Sequence, residues 1–329
     1  MSNIETVSSL GEIEALRRTV SKLKPGKHTI LGSGDDSAIV ATSNDRFVVS
    51  TDTMVEGNDF RIDWSSAFDL GWKAVATNIS DVTAMGAKPT ALVVALMVPK
   101  NTEITWLEEF ANGLQAAIDV LAPDAEIVGG DLASANQVVV SVTAFGDLEG
   151  REAKTRSGAK VGDILAVAGT LGQAACGLAL LFSEDRDAIS AYDNWVDVQK
   201  RPNPPIGAGI LAVEATSMMD ISDGLAMDAN RIATASGVRL DIDRQALDGY
   251  CAVLDDVASR IGQSSLDWVV FGGEDHSLLA TFPSDANLPR GFKKIGSVSA
   301  GEGVYLDGKP LANNGWDSIS ALAELNLDK

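Results

Sequence analysis

The sequence predicts an α/β fold in two domains, and three observations lead to that prediction. The chain has 329 residues, a length that suits two domains of ordinary size. Short apolar runs typical of strands alternate with longer stretches in which apolar residues recur at helical spacing. Residues 151–161 are basic and small and interrupt this alternation. We therefore place the domain boundary there, which gives domains at 1–150 and 151–329.

The elements of the first domain follow from its apolar runs, turn residues and helix stops. Asn44-Asp45 is a turn signal, so the strands on either side are expected to pair as a hairpin. A wide apolar face ends at Gly86 and Pro89, which predicts a helix before them. The pair Gly129-Gly130 is expected to end the strand that precedes it. The expected helices lie at about 12–23, 65–85 and 105–121, and the expected strands at about 38–41, 47–50, 91–98, 126–128 and 138–145.

The second domain repeats the alternation after the boundary. Proline occupies three of the five positions from 201 to 205, so no regular element is expected there. Residues 184–200 are polar and are interpreted as a surface excursion. The expected strands lie at about 164–168, 238–242, 268–271 and 278–282, and the expected helices at about 171–182, 206–215 and 225–235.

The charge balance and the cysteine content narrow the possible functions. Acidic residues outnumber basic ones by 46 to 26, which argues against nucleic-acid binding and against docking on an anionic membrane. The two cysteines, Cys176 and Cys251, have no metal-ligand spacing, so zinc is not expected. The N-terminus has no apolar signal segment, and the longest apolar run is too short to span a bilayer. We expect a cytoplasmic protein without a membrane partner.

Six aspartates carry the functional signal of this sequence. Each follows an apolar run or lies at a helix end, beside Gly, Ser or Thr: Asp35, Asp52, Asp81, Asp131, Asp220 and Asp223. Two ionised carboxylates about 4 Å apart repel by about 4 kcal/mol at an effective dielectric constant near 20, so several could converge only around cations. Oxygen ligands without His or Cys indicate Mg²⁺. Several such sites together are typical of phosphoryl transfer.

Each of these residues also has an ordinary structural interpretation. An aspartate beside Ser or Thr is commonly a helix cap or a turn residue, and Asp223 could cap the helix that begins at Leu225. Arg156 could hold a phosphate or could be a surface arginine. His276 lies in a strand-like run and is more often a packed residue than a base. The chain has neither a P-loop nor the protein-kinase glycine motif.

Several motifs together resemble thiamine-monophosphate kinase. They occur in that family's order and span nearly the whole chain: Gly34-Asp35-Asp36, Ser50-Thr51-Asp52-Thr53-Met54, Asn78-Ile79-Ser80-Asp81, Gly129-Gly130-Asp131, Thr155-Arg156-Ser157-Gly158, Asp220-Ile221-Ser222-Asp223-Gly224 and Gly272-Gly273-Glu274-Asp275. Each motif is weak or moderate alone, and the set is specific.

The resemblance implies the two-domain fold of the aminoimidazole-ribonucleotide synthetase-like superfamily, with each domain a mixed sheet covered by helices. It implies that domain 1–150 binds ATP and Mg²⁺ and forms a homodimer, and that domain 151–329 completes the active site. The implied reaction converts ATP and thiamine monophosphate to ADP and thiamine diphosphate by direct in-line transfer assisted by several Mg²⁺ ions.

The resemblance also assigns site residues. Those implied to bind metal are Asp35, Ser50, Thr51, Asp52, Asp81, Asp131, Asp220 and Asp223. Those implied to contact ATP are Gly130, Asp131, Arg156 and Ser222, and Glu274 is implied to approach the thiamine end of the substrate. No side chain is expected to act as a nucleophile, because the acceptor is already a phosphate oxygen.

The substrate end departs from the family's pattern. Asp59 replaces a histidine, Ile319 replaces a C-terminal aromatic residue, and His276 replaces a tyrosine. Trp316 remains and could stack on the thiamine ring or serve in packing. Asp59, Glu274, Trp316 and Ile319 are therefore the expected substrate-binding positions, and the departures concern substrate affinity or identity.

Two alternatives stay open at the level of sequence. One is another ATP-dependent enzyme of the superfamily with a different acceptor, although a selenophosphate synthetase would usually carry a reactive Cys near its N-terminus. The other is a catalytically idle protein that binds thiamine phosphates or metal ions. Consumption of ATP discriminates between an enzyme and an idle binding protein.

Overall fold

The structure is a computed structural model that describes residues 5–10, 12–24, 26–31, 39–43 and 46–315. The chain divides into two compact units. The first comprises Met1–Val82 and Ala87–Gly150, and the second comprises Thr83–Gly86 and Arg151–Lys329. In the described part of the chain, no helix is long and apolar enough to cross a membrane.

The first unit contains helices and strands in alternation. Its helices are α1 (Val7–Leu10), α2 (Glu12–Val20), α3 (Ala67–Ala84, whose last residues belong to the second unit) and α4 (Ile104–Leu121). Its strands are β1 (Thr29–Leu31), β2 (Ile39–Val40), β3 (Phe47–Val55), β4 (Lys88–Val98), β5 (Glu126–Ser134) and β6 (Val139–Asp147).

A four-stranded mixed sheet with the order β3-β6-β4-β5 forms the centre of the first unit. The strands β4 and β5 are parallel, whereas β6 is antiparallel to both of its neighbours. Alternate residues of β4 and β6 are buried, as expected for a sheet with one covered face. Helices α3 and α4 approach closely, because a Cβ atom on Gly71 would lie 2.1 Å from the carbonyl oxygen of Phe110.

Two predictions about strands in this unit are wrong. The strand β2 pairs with β1, and β3 pairs with β6, so β2 and β3 do not form the predicted hairpin. The strand β5 does not break at Gly129-Gly130 but continues to Ser134 with a bulge after Ile127. A Cβ atom on Gly130 would lie 2.1 Å from the Val94 carbonyl oxygen. Glycine at position 130 therefore permits a close backbone approach instead of a turn.

The second unit is built on a seven-stranded mixed sheet and a larger set of helices. Its strands are β7 (Ile164–Ala168), β8 (Ser217–Ile221), β9 (Arg239–Ile242), β10 (Ser277–Phe282), β11 (Phe292–Ser299), β12 (Gly303–Leu306) and β13 (Lys309–Pro310). Its helices are α5 (Gln173–Ser183), α6 (Arg186–Ala191), α7 (Asp193–Lys200), α8 (Ile206–Leu211), α9 (Leu225–Ser236), α10 (Asp248–Ala252), α11 (Asp255–Ile261) and α12 (Ser265–Phe271), with a 3₁₀ turn at Arg244–Leu247.

The order of the strands in this sheet is β13-β12-β9-β11-β7-β10-β8, so β8 lies at one edge. The strands β9 and β12 are parallel, and the other pairs are antiparallel. A small-residue core packs against the middle of the sheet, with Met218, Leu278 and Phe282 as its largest fully buried members.

The prediction of a strand at residues 268–271 is wrong, because these residues complete helix α12. The Ser264 hydroxyl accepts the N–H of Asp267 and starts that helix. A four-residue apolar run is compatible with either a buried strand or a buried helix. Here the N-cap at Ser264 indicates the helix. Residues 184–200 form α6 and α7, and Gly177 of α5 allows the Trp195 carbonyl to approach closely.

Candidate active site

In the first unit, the structure brings Ser50, Asp52 and Asp81 to one side of the sheet. The Ser50 hydroxyl donates to Asp81 Oδ2 at 2.7 Å, which joins β3 to helix α3. Asp52 is two residues further along β3, so its side chain points to the same face. Asp52 is exposed, and its Oδ1 accepts the N–H of Thr53 at 2.8 Å. These oxygen atoms form the first acidic group.

The position of Asp52 differs from the prediction, which placed it just after a strand that ends at Ser50. The strand β3 continues to Val55, so Asp52 lies within it. Among the residues that the structure describes, β3 is an edge strand of the sheet, paired only with β6. A polar side chain is therefore tolerated inside this element.

Thr51 points away from this group, because successive residues of a strand alternate between faces. Its hydroxyl donates to the Val142 carbonyl at 2.9 Å and accepts from the Thr143 hydroxyl at 3.1 Å. The structure therefore places Thr51 on the opposite face of the sheet from Ser50 and Asp52.

Gly130 and Asp131 lie on β5, at the other edge of the same sheet. Three steps between strands separate β3 from β5, and three steps correspond to roughly 14 Å. Asp131 is exposed and is paired in register with Ala95 of β4. Within one chain, the sheet does not bring Asp131 together with Asp52.

Asp59 has a local structural role in the turn that follows β3. Its Oδ2 accepts the N–H of Val55 at 2.8 Å. The N–H of Gly57 donates to the Phe60 carbonyl at 2.8 Å and completes the turn. A carboxylate oxygen at position 59 therefore stabilises the backbone of this loop, whatever it contributes to substrate binding.

In the second unit, Asp220 and Asp223 flank the end of β8. The Asp223 carboxylate pairs with the guanidinium of Arg231 at 2.7 Å. The N-cap of α9 is Gly224, and no side chain accepts a capping bond there. Asp223 is therefore an ion-pair residue and not the cap of the helix.

Asp228 is the residue that sequence reasoning missed at this end of β8. It is fully buried in the first turn of α9, and its Oδ2 accepts the N–H of Asp223 at 3.0 Å. Its other oxygen accepts from Arg231 at 2.5 Å. Burial and, to a lesser extent, the nearby charge of Asp220 raise the pKa of Asp228 to about 7, against the opposing effect of Arg231. The spacing of three residues between Asp228 and Arg231 was the available signal.

Asp220 and Asp223 form the second acidic group. Glu274 and Ser222 lie next to it, because the backbone of the segment after α12 pairs with the loop after β8. The N–H of Glu274 donates to the Ser222 carbonyl at 2.9 Å. The Glu274 carboxylate accepts from Gln199 at 3.3 Å. His276 is buried, and its Nδ1 lies 3.5 Å from Asp220 Oδ2. The structure thus brings together Asp220, Ser222, Asp223 and Glu274.

Arg156 lies in the loop before β7 and is exposed. Its carbonyl oxygen accepts from the Ser236 hydroxyl at 3.1 Å. Among the residues that the structure describes, its guanidinium group forms no ion pair. An exposed guanidinium without an internal partner can bind a phosphate at little structural cost.

Three predicted residues, Asp35, Trp316 and Ile319, lie outside the described residues. Within the described ranges, no three His, Cys, Asp or Glu side chains are close enough to form a metal site by themselves. The donors at both acidic groups are carboxylate and hydroxyl oxygens, which suit Mg²⁺. Because Mg²⁺ usually takes one or two carboxylates and fills its other positions with water and phosphate oxygens, these groups fit such an ion.

Comparisons with known proteins show the family to which the chain belongs. Residues 34–148 match the model of the AIR synthase related protein family, N-terminal domain. The chain is 41% identical to a thiamine-monophosphate kinase of Mycobacterium tuberculosis over 95% of this chain and 93% of that protein. It is 36% identical to the corresponding kinase of Corynebacterium glutamicum over 95% of both chains.

A solved structure, AaThiL complexed with AMPPCP and TMP, matches with a TM-score of 0.75 and 30% identity. The match covers 96% of this chain and 99% of that chain. The two mixed sheets covered by helices, together with these matches, confirm the predicted fold class. The chain belongs to the thiamine-monophosphate kinase family, within the aminoimidazole-ribonucleotide synthetase-like superfamily.

Proposed function

We propose that this protein transfers the terminal phosphoryl group of ATP directly to thiamine monophosphate, producing ADP and thiamine diphosphate. The observation that carries the proposal is the 41% identity to a thiamine-monophosphate kinase along 95% of the chain. The 30% identical structure that contains AMPPCP, an analogue of ATP, and TMP supports the same pair of substrates. Both acidic groups lie in the part of the chain that these matches cover.

The two acidic groups would hold several Mg²⁺ ions in this proposal. Asp52 and Asp81 would supply oxygens in the first unit, with Ser50 holding Asp81 in place. Asp220 and Asp223 would do so in the second unit. Bound Mg²⁺ would offset the repulsion between ATP and the acceptor phosphate by neutralising their oxygens.

The protein's own residues would position ATP and thiamine monophosphate, and the transfer would take place directly between these two substrates. The acceptor already carries a nucleophilic phosphate oxygen, so no enzyme nucleophile is needed and the transfer would be in line. Gly130, Asp131, Arg156 and Ser222 would contact ATP, and Glu274 would approach the thiamine end. The ion pair with Arg231 would hold the Asp223 carboxylate in one orientation.

We also propose that the first unit forms a homodimer through the uncovered face of its sheet. Phe47 and Val49 are 55% and 53% exposed on this face, and Phe145 packs against Phe47. Such exposed apolar side chains on a sheet favour association with a second surface. A second copy would also supply acidic side chains, because Asp52 and Asp131 lie far apart within one sheet. The buried thiols Cys176 and Cys251, without a disulfide, fit a reducing compartment such as the cytoplasm.

The test is an end-point assay with purified protein, ATP and Mg²⁺. Thiamine monophosphate and thiamine are offered in separate reactions, and chromatography detects thiamine diphosphate. We expect the diphosphate from the monophosphate alone. Consumption of ATP without this product would indicate a different acceptor within the superfamily, and no consumption would favour an idle binding protein.

A further inference from the structure

Asp275 is a buried carboxylate to which the predicted site assigns no role. It is 3% exposed and lies between α12 and β10. Its Oδ1 accepts from the Thr170 hydroxyl at 2.7 Å and from the N–H of Gln173 at 3.2 Å. Burial raises the pKa of Asp275 to about 6, while these hydrogen bonds act to lower it. Asp275 therefore caps the N-terminus of α5 from a distant part of the sequence.

The residues on both sides of Asp275 have an unusual backbone conformation. Glu274 has a φ angle of 66° and His276 one of 49°. Residues other than glycine rarely adopt such positive φ angles. These angles persist where the surrounding structure fixes the backbone. A carboxylate anchored to α5 between the two is one such constraint.

The same segment is fixed on its other side to the loop that carries Ser222. The N–H groups of Glu274 and His276 donate to the carbonyls of Ser222 and Ile221, at 2.9 and 3.1 Å. A Cβ atom on Gly273 would lie 2.3 Å from the Ser222 carbonyl oxygen, so the two backbones are in close contact. The conformation of Glu274 is therefore coupled to the position of this loop.

A second contact between the same elements adds to the anchor. The Thr170 N–H donates to the Ser277 hydroxyl at 2.7 Å, and that hydroxyl donates to the Thr170 carbonyl at 2.5 Å. Thr170 thus links the start of α5 to both Asp275 and Ser277. Of the two residues that contact Thr170, Asp275 is the one that lies between Glu274 and His276, whose φ angles are positive.

We propose that Asp275 is a positioning residue that holds Glu274 in the conformation needed to meet the thiamine end of the substrate. This proposal rests on the proposed function for the identity of the substrate. Asp275 itself is buried beneath the segment and acts through Glu274. Its loss should weaken binding of thiamine monophosphate more than binding of ATP.

The kinetic test compares three variants with a matched control. In Asp275→Asn, the KM for thiamine monophosphate should rise about tenfold, the lower end of the effect of residues that orient a ligand-binding group, and the KM for ATP should change much less. Thr170→Val removes the hydroxyl donor and should show a smaller rise, whereas Thr170→Ser keeps the donor and should restore nearly normal KM. Asp163→Asn is the control.

Asp163 is a suitable control because it is a buried carboxylate of the same unit with similar partners. It is 5% exposed, and it accepts from the Thr216 hydroxyl at 2.6 Å and from the N–H of Lys160 at 2.9 Å. Its substitution should lower the melting temperature without changing the KM for thiamine monophosphate. Equal losses of melting temperature in Asp163→Asn and Asp275→Asn, with KM unchanged in both, would overturn the proposal.

Hydrogen exchange gives a second readout that does not depend on activity. The amides of Glu274 and His276 should exchange faster in Asp275→Asn than in the wild-type protein, and at the wild-type rate in Asp163→Asn. Unchanged exchange at these two amides in Asp275→Asn would contradict the positioning role. If the wild-type protein made no thiamine diphosphate, the proposed function would fail, while the exchange experiment would still decide whether Asp275 fixes the segment.

Discussion

The two acidic groups differ at Asp52 and Asp223, in the exposure of each carboxylate and in the partner that it has. In the first unit, Asp52 is exposed, and the neighbouring Asp81 accepts a hydrogen bond from Ser50. In the second unit, Asp223 pairs with Arg231, and Asp228 is buried beneath them. Asp52 therefore has more to gain from an incoming cation than Asp223, which already pairs with an arginine. In the second group, an arginine and a backbone N–H of the protein itself hold the carboxylates of Asp223 and Asp228.

A phosphate site can thus be built from exposed carboxylates or from buried ones, and the two kinds differ in their cost to stability. Exposed carboxylates cost little in the free protein, because water solvates them and salt screens them. Buried carboxylates are costly, and they are kept where an arginine and backbone N–H groups compensate. Substitutions in the first group should therefore change activity more than stability, and substitutions in the second should change both.

The largest effect is expected for Asp52→Asn. This change keeps the shape of the side chain and removes the charge that would attract Mg²⁺, so phosphoryl transfer should fall at least about 100-fold. The melting temperature should stay close to that of the wild-type protein, because the residue is exposed. Steady-state kinetics and thermal unfolding check the two parts. Full activity in this variant would remove Asp52 from the metal site.

Asp275 should make the free energy of unfolding depend on pH, by about 3 kcal/mol at most. This is the upper limit that a pKa raised from 3.8 to about 6 implies. The native state retains a proton that the unfolded state releases between about pH 4 and pH 6. The free energy of unfolding of the wild-type protein, relative to Asp275→Asn, should therefore fall as the pH rises through this window and stay constant above it. Denaturant unfolding of both proteins at several pH values measures it, and a constant difference would contradict the assignment.

A loss of stability of about 2 kcal/mol is expected for Arg231→Met, because the substitution leaves the buried Asp228 carboxylate without its cation. The value is below that of a fully buried pair, since the Arg231 side chain is 34% exposed. Arg17→Met is the matched control, because Arg17 pairs with Glu14 on the surface, and little change is expected. Equal stability changes in the two variants would show that the second group is not organised by its ion pair.

The smallest effect is expected for Ser50→Ala. The variant loses the hydrogen bond to Asp81, and a single such bond contributes about 1 kcal/mol, or about fivefold in kcat/KM. Ser50→Thr keeps a hydroxyl and serves as the control. The Mg²⁺ concentration required for half-maximal activity should rise in Ser50→Ala, and an unchanged requirement would place Ser50 outside the metal site.

Much of the fold could be predicted from local patterns of the sequence. Helices α3 and α4 have strong apolar faces and were predicted within two residues at each end. The helix α12 was missed because its short apolar run reads equally well as a strand, and the Ser264 cap lies outside that run. The continuation of β5 through Gly129-Gly130 was missed because glycine there serves a contact with Val94, which is distant in sequence.

Site residues could be predicted where their type and their position in the sequence indicate a chemical role. The aspartates could be named as candidates, because each stands beside small polar residues near the end of an apolar run. Asp228 and Arg231 were missed, because their importance depends on burial under a neighbouring loop. The separation of Asp52 from Asp131 follows from the order of strands in the sheet, which no local pattern encodes.

Tracing the phosphoryl group itself tests the proposed transfer to thiamine monophosphate most directly. ATP labelled in its terminal phosphate would be incubated with the protein, Mg²⁺ and thiamine monophosphate, and the label would be traced in small molecules and protein. Direct transfer predicts label in thiamine diphosphate, in a one-to-one ratio with ADP, and none on the protein. Label on the protein, or ADP formed without labelled thiamine diphosphate, would rule out direct transfer to thiamine monophosphate.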